Sequence, residues 1–233
     1  DPISQRPEDV AAWELAEGIY THWFYDPVLK GEYPAGLLAM ARQHFGAPRF
    51  APGDEALLKA NICDFIGVNY YKREMIAANP DVDNTVINTT GQKGSGQEFG
   101  FKGLFKQVRN PNGVYTDWDW EIYPQGLTEA LLRLKARYGD VPVYITENGL
   151  GAKDPIVDGE ILDQPRIDYL ASHIAAVEQA MAQGVDVRGY YPWSFIDLLS
   201  WLNGYQKQYG FVYIDQADNL KRRKKLSFHW YQA

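Results

Sequence analysis

The chain has 233 residues, 45% hydrophobic and 14% aromatic, enough to bury a large core in one domain or at most two. Its net charge of -7 and pI near 5.1 argue against sequence-independent nucleic-acid binding, and the short basic run KRRKK at 221–225 reads as a solvated face. No apolar run approaches the ~18 residues of a membrane span, and the start DPISQRPEDV lacks both Met and the regions of a signal peptide.

The elements follow in chain order. PEDVAAWELAEGIYTHWFYDPVLKG (7–31) has apolar positions at helical spacing and acidic residues in its first turn, so it reads as one long helix stopping around Pro27 and Gly31. CDFIGVNYY (63–71) is a short β-branched and aromatic run suited to a strand buried on both faces. Its Cys63 is the only cysteine and cannot form an internal disulfide, which points to a reducing, cytoplasmic setting. A stretch rich in Gly, Asn, Asp and Thr, at about 79–112, reads as a polar excursion from an otherwise single domain over 1–233. GLTEALLRLKARYGD (126–140) is an amphipathic helix closing at Gly139, and it feeds the strand VYIT, which delivers Glu147 into the turn Asn148-Gly149. RIDYLASHIAAVEQAMAQG (166–184) repeats the pattern and feeds VRGYYPWS (187–194).

Strands alternating with helices predict an α/β fold with a parallel sheet. In that arrangement Asn69 and Tyr71, Glu147, and Trp193 all fall at the carboxyl ends of their strands, the end that carries the chemistry in (β/α) barrels. Glu147 is then a carboxylate presented at the mouth of a sheet rather than an ordinary turn residue. His22, His44, His173 and His229 lie far apart without paired spacing, so no metal site is expected.

The motifs YITENG, IGVNYY, PWSFID and GYQKQYGFVYID…RRKKLSFHWY, in this order, resemble the C-terminal part of the retaining β-glycosidases of glycoside hydrolase family 1. The resemblance runs from WFYDPVLKGEYP to SFHWYQ. It implies an α/β fold, the (β/α)8 TIM barrel, of which this chain supplies the C-terminal portion, about strands 6 to 8. Retaining enzymes use a nucleophilic carboxylate and a carboxylic acid about 5 to 5.5 Å apart. The resemblance makes Glu147 the nucleophile and Tyr71 the hydroxyl that orients it. Asn69 is expected to donate towards the nucleophile or the sugar, Trp193 to floor the sugar site, and Trp120 to lie on the aglycone side. Such hydrolysis needs no cofactor.

One departure sets the substrate class. Where β-glucosidases of this family carry a sugar-gripping glutamate in Asn-x-Glu-Trp, this chain reads DLLSW, which puts Ser200 there. Losing that carboxylate removes repulsion against a 6-phosphate. Ser200, Lys207 and Tyr209 supply a hydroxyl, an ammonium and a phenol at the spacing of the 6-phospho-glycosidase branch, a donor set suited to a phosphate dianion. In the 6-phospho-β-galactosidases of this family the position of Trp201 tends to be tryptophan, so the resemblance implies a preference for 6-phospho-β-galactosides, such as a phosphorylated disaccharide of the lactose 6-phosphate type, with 6-phospho-β-glucosides as the alternative. The family carries its acid/base glutamate in an Asn-Glu-Pro motif, which does not occur in this chain, so the resemblance implies that this glutamate lies in an N-terminal portion as the chain's partner. A non-catalytic sugar-phosphate-binding fragment is the reading from another class.

Overall fold

The computed structural model describes residues 1–46, 48–80, 85–86, 98–200 and 203–233. Its helices and strands begin with α1 (Pro7–Glu17), α2 (Trp23–Leu29), α3 (Ala35–His44), α4 (Asp54–Ala60), β1 (Ile66–Asn69), β2 (Met75–Ala78), β3 (Thr85–Val86), β4 (Glu98–Phe101) and β5 (Phe105–Val108). They continue with α5 (Pro124–Tyr138), β6 (Val143–Asn148), α6 (Gln164–Ala182), β7 (Val187–Pro192), β8 (Val212–Asp215), β9 (Lys221–Lys224) and α7 (Leu226–Gln232). Contacts group into two compact units: Asp1–Phe65 with the segments from Glu74 and from Glu98 to Asn110, and Ile66–Arg73 with Pro111–Ala233.

In the first unit the long helix forms, with a difference. Between α1 and α2 the chain makes a π turn over Gly18–His22, and the Trp23 amide donates to the Gly18 carbonyl five residues back. Pro27 does not end the helix but lies inside α2, which runs to Leu29 before Gly31 adopts a φ of 73°. Asp9, read from sequence as a first-turn acid, is fully buried. It accepts from the Ser4 hydroxyl, the Ala78 amide and the Arg6 guanidinium, and the first two bonds lead in holding its carboxyl below the usual range. Ala12 and Ala16 of α1 pack against Ile76 and Phe105.

The polar excursion is corrected in part. Its described residues include β4 and β5, which pair antiparallel, and β5 pairs antiparallel with β2. The Phe105 side chain is wholly buried there, so this stretch contributes core despite its polar composition. The rest of the excursion lies largely outside the described residues.

The second unit holds the parallel sheet, in the order β1-β6-β7. Its first strand is shorter than the apolar run that signalled it, covering 66–69 of the expected 63–71. Ile66 and Val143 are buried beside Leu134 of α5 and Val185, while Asn69 and Thr146 stay exposed. The glycines after each helix act as read: Gly139 and Gly184 have φ of 76° and 88°, conformations open to glycine and strained for other residues. Leu150, Tyr169, Leu170 and Phe211 form the core between the strand ends and α6.

The basic run at 221–225 is a solvated face at Lys221, Arg222 and Lys224, which are exposed, and departs from that reading at Lys225. Lys221–Lys224 form β9, paired antiparallel with β8, and Arg223 reaches Asp215 at 3.3 Å. Lys225 is fully buried, because the carboxylates of Asp154 and Asp197 converge on its ammonium at 2.6 and 2.8 Å.

Candidate active site

Parallel pairing places the carboxyl ends of β1, β6 and β7 side by side, with Asn69 opposite Glu147 and Asn148 opposite Pro192. The Tyr71 hydroxyl donates to Glu147 Oε2 at 2.7 Å. Burial and that hydrogen bond push the Tyr71 phenol above its usual range, so it remains a protonated donor aimed at the carboxylate. Asn69 does not donate to Glu147. Its Oδ1 accepts from the Thr146 hydroxyl at 2.6 Å, which leaves the amide group as its donor.

Asn148, unremarkable in sequence beyond its turn chemistry, is fully buried and anchors this end of the sheet. Its amide donates to the Tyr70 carbonyl at 2.7 Å and to the Tyr169 hydroxyl at 3.3 Å, while its Oδ1 accepts from the Tyr190 hydroxyl at 2.6 Å. The residue after Glu147 is thus tied to three elements, which fixes the backbone that carries the carboxylate. The Trp193 amide donates to the Asn148 carbonyl at 2.8 Å. A Cβ at Gly149 would stand 1.9 Å from the Trp193 carbonyl oxygen, so only glycine allows Trp193 this approach.

A second group of rings continues from Tyr71. Its ring centroid lies 5.4 Å from that of Trp120 and 6.4 Å from that of Tyr209. Trp120 sits on a tight loop in which the Thr116 hydroxyl accepts from the Trp118 and Trp120 amides. Glu121 beside it takes both prongs of the Arg73 guanidinium at 2.9 and 2.7 Å, a bidentate pair that clips this loop to the segment after β1.

Lys207 reaches into these rings. Only 2% of it is exposed, and its Nζ lies 3.3 Å from the Trp120 ring centroid, 5.2 Å from Trp118 and 5.3 Å from Tyr209. Among the described residues no carboxylate pairs with it. Burial, with the charge of Lys72 adding, lowers its pKa to about 7. Tyr209 is buried as well, and burial followed by the charge of Glu147 pushes its phenol above the usual range. Ser200 exchanges backbone hydrogen bonds with Gly204 at 2.9 Å in both directions. Trp201 lies outside the described residues. Glu147, Tyr71, Trp120, Tyr209 and Lys207 therefore form one contiguous group, while Asn69 and Trp193 flank Glu147 along the strand ends.

Beneath the two loops runs a buried ion network that sequence reading did not find. Arg166, 1% exposed in its side chain, donates to Asp163 at 2.8 Å and to Asp154 and the Leu150 carbonyl. Lys225 bridges Asp154 and Asp197, and Asp197 accepts from the Gly210 amide at 2.8 Å. Asp163 also accepts from the Ser227 hydroxyl and amide. Leu150 belongs to the loop after Glu147 and Gly210 follows Tyr209, so one network holds both.

The family model described as glycosyl hydrolase family 1 matches residues 1–233. The aryl-phospho-β-D-glucosidase BglC of Bacillus subtilis is 47% identical over 99% of this chain and 50% of its own length. A 6-phospho-β-galactosidase of Streptococcus equi subsp. zooepidemicus is 40% identical over 98% of this chain and 50% of its own. The solved family 1 β-glucosidase from Thermotoga maritima superposes with a TM-score of 0.83 at 32% identity, covering 99% of this chain and 47% of that one. The chain spans about half the length of the curated relatives it matches, and its three parallel strands with their helices are part of such a barrel. It belongs to glycosyl hydrolase family 1.

Proposed function

We propose that this chain supplies the nucleophile and the phosphate-recognising part of an enzyme that hydrolyses 6-phospho-β-glycosides with retention. Glu147 attacks the anomeric carbon and forms a glycosyl-enzyme. An acid/base glutamate from the N-terminal portion protonates the leaving group, then activates the water that releases the sugar. Tyr71 orients the nucleophile, Asn69 donates from its amide to the sugar, Trp193 floors the sugar, and Trp120 lies towards the aglycone. Ser200, Lys207 and Tyr209 take the phosphate. Galactosides are preferred through Trp201, with glucosides also accepted; relatives named for each sugar, a phospho-β-glucosidase and phospho-β-galactosidases, support a site of this breadth.

The observation that carries this reading is the buried Lys207 ammonium. An ion taken out of water without a counter-ion is costly, and a phosphate dianion arriving beside it restores the balance. Aromatic faces are a partial substitute, each contributing about 0.5–2 kcal/mol.

The test is a paired comparison of a 6-phospho-β-galactoside and its unphosphorylated analogue in the assembled enzyme, this chain with its N-terminal complement. Lys207→Ala should lower kcat/KM on the phosphorylated substrate by roughly ten- to hundredfold more than on the other, the scale of a charge-assisted hydrogen bond. Ser200→Glu should shift preference further towards the unphosphorylated sugar, because it places an anion where the phosphate binds. Equal losses on both substrates would mean that these residues hold only the loop.

A pH dependence follows from the lysine. With burial lowering its pKa to about 7, Lys207 is mainly charged below that value and mainly neutral above it. The substrate's phosphate becomes a dianion above a pKa of about 6. The phosphorylated-to-unphosphorylated ratio of kcat/KM should therefore peak between about 6 and 7 and fall as pH rises further. A ratio flat from pH 6 to 9 would exclude Lys207 as the titrating contact.

A further inference from the structure

Building on that phosphate reading, we infer that Gly151 is a positioning residue for Lys207, and that the side chain it lacks creates the space in which the ammonium is held. The loop after β6 and the segment leading to β8 are pinned together at Ala152 and Gln208, whose amides and carbonyls exchange two hydrogen bonds of 2.9 Å. Asp154 adds a third tie, its amide donating to Gln208 Oε1 at 2.7 Å. At this spacing the residue before Ala152 faces the segment carrying Lys207 and Tyr209. That residue is Gly151, itself buried, and a Cβ on it would stand 2.3 Å from Lys207 Cε, 2.8 Å from Cγ and 3.0 Å from Tyr209 Cε1. The lysine stem therefore occupies the place of a side chain at position 151.

The identity of the obstacle separates Gly151 from its neighbours. At Gly149 and Gly210 a Cβ would strike backbone, the Trp193 carbonyl oxygen at 1.9 Å and the Asp197 amide nitrogen at 2.2 Å, so those glycines serve the fold. At Gly151 the two nearest atoms are Cε and Cγ of Lys207 and the third is Cε1 of the Tyr209 ring, so the obstacle is side chain and not backbone. Nor does Gly151 have a positive φ that an alanine would strain. A methyl group there should leave the fold in place and drive Lys207 off the rings of Trp120, Trp118 and Tyr209. Phosphate selectivity would then depend on a residue that touches no substrate.

The test uses the assembled enzyme with Gly151→Ala, Lys207→Ala and the double variant. Competitive acetylation across pH with peptide mass spectrometry reads the titration of Lys207, and paired kinetics read the phosphorylated-to-unphosphorylated ratio of kcat/KM. In Gly151→Ala, Lys207 should titrate well above 7, towards an ordinary lysine, and the ratio should drop about ten- to hundredfold, as on losing the charge-assisted contact. The double variant should show the same ratio as Lys207→Ala alone, because the two changes act through one group. An unmoved titration, or losses that multiply in the double variant, would overturn the role of Gly151. A titration that moves while the ratio holds would instead overturn the phosphate reading. If Gly151→Ala fails to fold, the double variant decides, since Lys207→Ala empties the contested space. Recovery of folding supports the inference, and failure of both variants overturns it.

Discussion

Glu147→Gln in the assembled enzyme is expected to lose kcat by roughly 10³- to 10⁶-fold while retaining substrate affinity, the range over which removal of a covalent nucleophile acts. Glutamine preserves the size of the side chain and can still meet the Tyr71 hydroxyl that now lies 2.7 Å from Glu147 Oε2. It cannot do the chemistry. The attacking group must carry a negative charge into an oxocarbenium-like transition state, and the bond it forms must break again when water arrives. Affinity should survive because the groups assigned to bind, Trp193, Lys207 and Tyr209, are untouched. The measurement is single-turnover kinetics with a phosphorylated aryl glycoside, together with its binding constant. Turnover within about tenfold of wild type would remove Glu147 from the nucleophile's role.

Arg166→Met should be the most damaging single change for stability, at about 3–5 kcal/mol, the cost of leaving buried charge uncompensated. Arg166 and Lys225 are the two cations set among the buried carboxylates of Asp154, Asp163 and Asp197. Without the guanidinium, among the described residues the Asp163 carboxylate keeps only its bonds from Ser227, and Asp154 keeps only Lys225 of these cations. The Leu150 carbonyl also loses the donor that fixes the loop behind Glu147. Activity should therefore fall with stability, and thermal unfolding of the variant beside wild type measures the first effect. A melting temperature unchanged by the substitution would show that these charges are screened in solution.

Much of this arrangement was legible in the residues. The strand of Glu147 is short, punctuated by Pro142 before it and closed by Asn148 with Gly149 after it, so local chemistry alone defines it. The helices α5 and α6 are amphipathic or apolar over four or five turns, long enough for period and glycine stops to agree. The resemblance to the 6-phospho-glycosidase branch, and not spacing alone, singles out Lys207, and its burial is not legible, because a lysine in a polar loop looks the same whether it faces water or lies on three rings. Arg166 and Lys225 were missed for a related reason. Lys225 and its partner Asp154 stand 71 positions apart, and no local pattern announces a pair joined only by folding. Phe105 shows the reverse case, a core residue hidden in a stretch whose composition is otherwise polar. Gly151 had no signal of its own, since its significance lies in the atoms of another segment.

The most direct test of the whole account is to trap the covalent intermediate with a 2-deoxy-2-fluoro 6-phospho-β-glycoside bearing a good leaving group, beside its unphosphorylated counterpart, and to map the adduct by peptide mass spectrometry. The account predicts a sugar-phosphate adduct on Glu147, formed at least about tenfold faster with the phosphorylated reagent and lost from that advantage in Lys207→Ala. An adduct on another residue, or equal labelling by the two reagents, would contradict it.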